Sequence, residues 1–296
     1  LQDLSIQDRR QRLTGIALMC GAVASFACLD AVAKYLGGTM DVLQVVWARY
    51  TSAFLLTLII SNPISRPSLI GTTRPALQLG RSFLLLGSTF FNFLAYRYLQ
   101  LDEALAIMFS TPFLVAALAG PVLGEWIGWR RWTAICVGFA GVLVVIRPGV
   151  GSFQWAALLS LASAFCYALY SIATRVLSHT DSNETTLFYS NMVGAVLMLP
   201  VLPFVWTPPQ QPLHIALMVV MGVFASFGHY LLIAAHRLAP ASVLSPFIYS
   251  QIVWAVTFGF LVFGDLPHAG TLLGSGIVIA SGLYLFHRER TVKGRP

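Results

Sequence analysis

The sequence is short of charge. Only 10% of its 296 residues are Asp, Glu, Lys or Arg, while 57% are hydrophobic. A soluble domain carries about 25% charged residues to keep its surface hydrated. Lysine is almost missing, occurring only as Lys34 and Lys293, and neither lies in the G-x-x-x-x-G-K-[ST] loop that cradles nucleotide phosphates. ATP hydrolysis by this chain is therefore excluded as a driving reaction. The four cysteines (Cys20, Cys28, Cys136 and Cys166) all fall in apolar stretches and form no C-x-x-C pair, which argues against a zinc site or a disulfide framework. No H-E-x-x-H occurs, and acids inside the apolar runs are too sparse for the paired carboxylates of an intramembrane protease. No cofactor or metal is expected. A membrane enzyme is the weaker functional class.

What the sequence has is long apolar runs, close to the ~20 residues a helix needs to cross a ~30 Å hydrocarbon layer. Reading runs bounded by charge, Pro and Gly predicts ten spans. They are Leu13–Leu36, Val42–Ser61, Leu77–Leu99, Ala104–Leu123 and Trp129–Ile146, then Gln154–Leu177, Thr186–Trp206, Ile215–Ala235, Ala241–Phe263 and Ala269–Phe286. The first run follows Arg9, Arg10 and Arg12 like a signal peptide. It is too long for one and contains Asp30 and Lys34, so an uncleaved first helix is expected. On alternate sides of these spans, one side collects 14 of the 18 Lys and Arg residues, among them Arg66, Arg74 and Arg81. Basic loops stay cytoplasmic, which predicts both termini inside and an inner (plasma) membrane location. The net charge of +7 comes from these loops and the termini. No basic domain suggests nucleic acid.

The chain also resembles itself at a shift of roughly 140 residues. Ala33-Lys34-Tyr35-Leu36 ends the first span as Thr174-Arg175-Val176-Leu177 ends the sixth. Phe109-Ser110-Thr111, followed by Leu123-Gly124-Glu125, matches Tyr249-Ser250-Gln251, followed by Phe263-Gly264-Asp265; Gly141-Val142-Leu143-Val144 matches Gly282-Leu283-Tyr284-Leu285. Five is odd, so a second copy enters the bilayer from the opposite face. The expected fold is an all-α membrane protein of ten transmembrane helices, residues 1–149 and 150–296 forming two inverted five-helix repeats. Such repeats suit alternating access to a site near the midplane, and fit a permanently lined channel less well.

The ordered set Arg49-Tyr50, Thr111-Pro112, Leu123-Gly124-Glu125, Trp129-Arg130-Arg131-Trp132, Gly138-Phe139-Ala140-Gly141-Val142 and Arg147-Pro148-Gly149 resembles the EamA family of the drug/metabolite transporter superfamily. The second half repeats it in Phe263-Gly264-Asp265-Leu266-Pro267, with Asp265 where that family usually has Glu. The resemblance covers Leu13 to Phe286 and looks closest to the bacterial aromatic amino-acid exporters. It implies a central cavity lined by helices one to four and six to nine, with five and ten peripheral. The function it implies is export, by alternating access, of small amphipathic organic solutes, above all amino acids including aromatic ones. Cationic drugs or other metabolites are the alternative cargo.

Charge inside a bilayer is costly and marks functional candidates. Asp30 lies about 9 Å below the end of span one and Arg49 about 10 Å into span two, at 1.5 Å per residue. They could pair, bind a zwitterion, or form a structural ion cluster closing the outer side. Asp30 and Lys34, at i and i+4, could also pair locally. Ser110-Thr111-Pro112 and Ser245-Pro246 free backbone carbonyls beside hydroxyls in corresponding helices, either as part of a site or as simple kinks. Asn92 and His229 correspond at a shift of 137 near mid-bilayer; His229 is the group on which proton coupling would rest. It could equally be a satisfied interhelical donor. Tyr96, Tyr167, Tyr170 and Tyr249 could stack on a ring or hold a cation, while Tyr189, Tyr230 and Trp254 share that pattern with interfacial aromatics. Gln251 completes the ninth-span set. Glycines at Gly138, Gly141, Gly270, Gly274, Gly276 and Gly282 mark spans five and ten as packing elements or a weak dimer contact. The expected partners are a small-molecule substrate and membrane lipid, with the protein a monomer or weak dimer.

Overall fold

The structure, a computed structural model, describes residues 2–60, 69–123, 128–146, 155–177, 180–238, 244 and 247–293. Every regular element among them is helical. The first half holds α1 (Gln2–Gly37), α2 (Val42–Ile60), α3 (Pro75–Ala95), α4 (Leu101–Met108), α5 (Thr111–Leu123) and α6 (Trp129–Ile146). The second holds α7 (Ala156–Leu177), α8 (Asn183–Met198), a short α9 (Leu202–Val205), α10 (Pro212–Leu238), α11 (Gln251–Phe258) with a π-helical turn over Gly259–Phe263, and α12 (Ala269–Lys293).

Five stretches are long and apolar enough to cross a membrane: Arg10–Gly37, Val42–Ile60, Leu101–Leu118, Ala156–Leu177 and Pro212–Leu238. Shorter apolar helices cover Trp132–Ile146, Gln251–Phe263 and Ala269–Tyr284. Neither α3 nor α8 is in either group. Several predicted spans also differ in outline, the ninth by a turn at Tyr249–Ser250 and the tenth by running on to Lys293. The first helix begins at Gln2 and not at Leu13. The seventh is broken after Met198, because Pro200 and Pro203 lack the N–H groups that would continue it. The fourth is two helices, α4 and α5.

That last break has a local cause. Pro112 cannot donate to the Met108 carbonyl four residues back; the Thr111 hydroxyl takes it instead at 2.7 Å. The chain turns at Phe109–Ser110 and restarts at Thr111. The second half turns at Tyr249–Ser250 before α11, where the Ser250 hydroxyl donates to the Phe247 carbonyl at 2.6 Å. The matched tripeptides thus break their helices at the same place, and the Phe109 and Tyr249 rings meet edge to face with centroids 5.0 Å apart.

Packing maps onto itself when the halves are exchanged. α1 packs on α10 as α7 packs on α3; α2 packs on α10 as α8 packs on α3. α1 meets α11 as α7 meets α4 and α5, and α2 with α8, α4 with α11 and α6 with α12 are self-related pairs. Serines repeat the rule: Ser25 of α1 donates to the Phe224 carbonyl of α10, and Ser163 of α7 to the Ser88 carbonyl of α3. The main apolar core lies along these crossings between halves. α6 and α12 pair closely because neither has a side chain at the crossing. A methyl group on Gly274 would stand 2.6 Å from the Gly141 carbonyl oxygen, a contact that only small residues permit.

Candidate functional site

α3 carries a polar stripe along its length. Gln78, Arg81, Ser82, Ser88, Thr89, Asn92 and Tyr96 recur at three- and four-residue steps and so share one face. That face looks into the second half. Near the end at which α1 finishes, which the basic-residue pattern predicts to be the outer one, Asn92 Nδ2 donates to the Tyr96 hydroxyl at 2.7 Å. The Tyr96 hydroxyl stands beside the Asp30 carboxylate. Gln251 Nε2 donates to Asp30 Oδ2 at 3.3 Å, so groups from α1, α3 and α11 converge on one carboxylate.

Arg49 lies at mid-stripe. Its guanidinium donates to Thr89 Oγ1 at 3.2 Å and lies 4.5 Å from the centre of the Tyr50 ring, while the Tyr50 hydroxyl shares a 2.9 Å hydrogen bond with Thr89. It forms no ion pair with Asp30 among the described residues, yet its charge acts on Asp30, Tyr167 and His229. Asp30, Arg49, Asn92 and His229 are all half-buried, and Tyr167 is 38% exposed, although all lie well inside their helices. Mutual electrostatic reach and residual accessibility mark these groups as one polar cluster within the helices. The Phe26 and His229 rings meet edge to face at 5.1 Å, and Tyr167 and Tyr170 lie 5.3 Å apart.

At the outer end Lys34 Nζ meets Asp265 Oδ2 at 2.6 Å and lies 4.7 Å from the Phe263 ring centre. The expected local pairing of Lys34 with Asp30 is therefore replaced by a contact between halves. Gly264, at φ 71°, turns the chain left-handed after the π turn and brings Asp265 round to Lys34. Gln44 of α2 clamps the same end, exchanging two hydrogen bonds with the Thr207 backbone at 2.9 and 2.7 Å.

The inner end has a different clamp. Asp181 Oδ2 accepts from Thr72 at 2.6 Å and Gln78 at 2.7 Å. Slight desolvation raises the pKa of its carboxyl, but hydrogen bonds from Thr72, Gln78 and Thr180 outweigh that and hold it below the ordinary carboxylate range. Arg81 was counted from the sequence as a loop cation. It is instead 3% exposed within α3, because its donors are taken up by α7 and α8. Nε donates to Thr174 Oγ1 at 2.7 Å, Nη1 to the Thr186 carbonyl and Ser190 Oγ at 3.0 Å each, and Nη2 to the Tyr170 hydroxyl at 2.8 Å.

Among the sequence candidates, the structure thus brings together Asp30, Tyr96, Asn92 and Gln251, with Arg49, Tyr167, Tyr170 and His229 linked to them by ring contact or charge. Ser110 and Thr111 sit at the helix break: Thr111 is turned back on its own helix, and Ser110 is fully buried with its hydroxyl unpartnered. Tyr249 is half-buried against Phe109. Ser245 lies outside the described residues. Tyr189 bonds the Ile70 carbonyl at 2.9 Å, away from this cluster, and Tyr230 is 68% exposed. Sequence reading missed Tyr50, Thr89, Arg81, Thr174 and Ser190. The helical period of polar residues along α3 was the signal for Arg81 and Thr89.

Comparison with known proteins follows the same division into halves. The profile of the EamA-like transporter family matches residues 13–147 and again 154–286. The chain is 28% identical to an S-adenosylmethionine uptake transporter of Rickettsia conorii, over 96% of each chain. It is 26% identical to a riboflavin transporter of Vibrio cholerae, again over 96% of each. Neither is an aromatic amino-acid exporter, the branch that the sequence resemblance suggested. A solved structure described only as a protein crystal structure superposes with a TM-score of 0.64 over 97% of this chain and 99% of its own, at 15% identity, and so shares the fold.

Proposed function

Because this chain belongs to the EamA-like transporter family, and is thus a multi-pass membrane transporter of the secondary type, we propose that it carries a small solute with a zwitterionic amino-acid head and a ring. The observation that carries this reading is the setting of Asp30 and Arg49: opposite charges on consecutive helices lie within electrostatic reach without forming an ion pair, and in this reading both face a void between the halves. An ammonium group would sit at Asp30, beside Tyr96 and Gln251, and a carboxylate at Arg49, whose planar fork suits it. Tyr167 and Tyr170 offer faces for a ring or a sulfonium cation. S-adenosylmethionine, the cargo named for the Rickettsia relative, has all of these parts, and aromatic amino acids have the head and the ring. Purely cationic drugs fit less well, because two guanidiniums share the void.

In this reading ten crossings form two inverted repeats with both termini cytoplasmic, and the halves rock about the Phe109–Tyr249 contact. No ATP site drives the cycle. Net direction therefore follows the gradients, and export, expected from the sequence, and the uptake named for the relative are two directions of one machine.

The test is flux of labelled S-adenosylmethionine into liposomes holding the purified protein, with competing phenylalanine, phenylalaninamide and riboflavin. Saturable flux blocked by phenylalanine and not by its carboxamide is expected. Flux of riboflavin alone would reject the zwitterionic head, and no flux of any of these solutes would reject the substrate class.

A further inference from the structure

Arg81 is a cation in an expensive position. Burying an unpaired guanidinium is costly by several kcal/mol unless charge or full hydrogen bonding compensates it. Among the described residues its partners are three hydroxyls, one carbonyl and the face of the Tyr170 ring 4.5 Å away, none of them an anion. Four acceptors serve its five N–H donors, leaving one on Nη2. Plain cross-linking of helices needs no such charge; Ser88 and Ser163 join α3 to α7 with hydroxyls alone.

Three features give the charge a direction. Arg81 lies on the same face of α3 as Thr89, which holds Arg49, eight residues or about 12 Å along the helix. Its Nη2 donates to Tyr170, whose ring lies 5.3 Å from that of Tyr167, and its charge reaches Tyr167 and His229 as that of Arg49 does, so both guanidiniums bear on one cluster. Every acceptor it uses belongs to α7 or α8, in the other half, so rearrangement of the halves on the inner side releases these bonds.

We propose that Arg81 is a second station for the acidic group of the substrate, used when the cavity opens on the side where α3 begins. The carboxylate passes from Arg49 down the α3 stripe, past Tyr167 and Tyr170, to Arg81. There it replaces the neutral acceptors as α3 parts from α7 and α8. The substrate class is thereby narrowed to solutes bearing a carboxylate. This rests on the carrier reading above and adds a side-specific role to it.

The test measures KM from each face separately, in vesicles of known orientation, with labelled S-adenosylmethionine and labelled phenylalanine. Arg81→Gln is expected to raise KM about ten-fold for entry from the face where α3 begins, a loss typical of a charge-assisted pair. KM from the opposite face should stay within about two-fold, the spread of a change that leaves binding there untouched. Against phenylalaninamide as competitor, the variant should also lose its preference for the acid from the first face only. Arg81→Lys keeps the charge without the planar fork and should fall between the two; it serves the same comparison where Arg81→Gln does not fold. Equal changes of KM from both faces, or a fall in maximal rate alone, would overturn the station and leave the carrier reading intact. Absence of flux with both solutes in the unsubstituted protein would remove the substrate class and the station with it.

Discussion

α3 and α10 hold the same place in their halves, each packed on the first two helices of the other half, yet they are chemically unlike. α3 buries Gln78, Arg81, Ser82, Ser88 and Thr89; α10 buries Met218, Met221, Gly222, Ala225 and Gly228. α10 meets its neighbours by shape: a methyl group on Gly222 would overlap the backbone of Ala53 and the side chain of Ser52, and one on Gly228 would stand 2.7 Å from the Phe26 ring. α3 meets its neighbours through hydrogen bonds. The difference teaches that the doubled fold requires only matching surfaces. Substrate chemistry can then collect on one copy without disturbing the symmetry of the packing.

The largest effect should come from spoiling the shape-matched side. Gly222→Val forces α10 away from α2, and overpacking of this kind costs about 1–3 kcal/mol or more. Little folded protein is expected by size-exclusion chromatography in detergent, and a normal monodisperse yield would contradict the close packing. Next, Asp30→Asn and Arg49→Ala should each cut flux about 100-fold, in line with losing one partner of a desolvated charge pair. Melting temperature should fall less than in Gly222→Val, since each change removes hydrogen bonds between helices without forcing two backbones apart. Full transport by Arg49→Ala would move the site away from the α3 stripe.

A smaller change tests the one ionisable group that α10 contributes to the cluster. His229→Gln should leave exchange of labelled for unlabelled solute intact and remove accumulation driven by an imposed pH gradient. Unaltered accumulation would take proton coupling away from this residue. Smaller still, Ser163→Ala removes two hydrogen bonds to Ser88 of α3 and should cost about 1–2 kcal/mol, in the range of interhelical hydrogen bonds in membranes, read as a modest fall in melting temperature. At the foot of the scale, Gly276→Ala should be silent by the same measurement, because nothing lies within 4 Å of a methyl group there. A strong effect would point to a partner on that face of α12.

Much of this was legible in one dimension. Apolar runs marked the helices, and Ser110-Thr111-Pro112 marked the first break, because a hydroxyl closing a turn is a local event; the second kink was expected at Ser245-Pro246, outside the described residues, and the turn at Tyr249–Ser250 was not foreseen. Gly141 and Gly274 were readable as packing positions for the same reason. Asp30 and Arg49 stood out because charge in an apolar run is rare. Arg81 was misread: six residues from Pro75, it looks like the tail of a basic loop. Only the acceptors on α7 and α8, about ninety to a hundred and ten residues away in sequence, make it interior. Lys34 was paired with its neighbour Asp30 when its partner was Asp265, 231 residues on.

Composition and periodicity by themselves determined that this chain is a helical membrane protein with a repeated half. Those properties depend on each residue's own hydropathy and on spacing within a single helix or turn. The tertiary structure alone decided which polar groups share a cluster and which close its ends. Those outcomes depend on distances between helices of opposite halves, and no local rule of spacing carries that information.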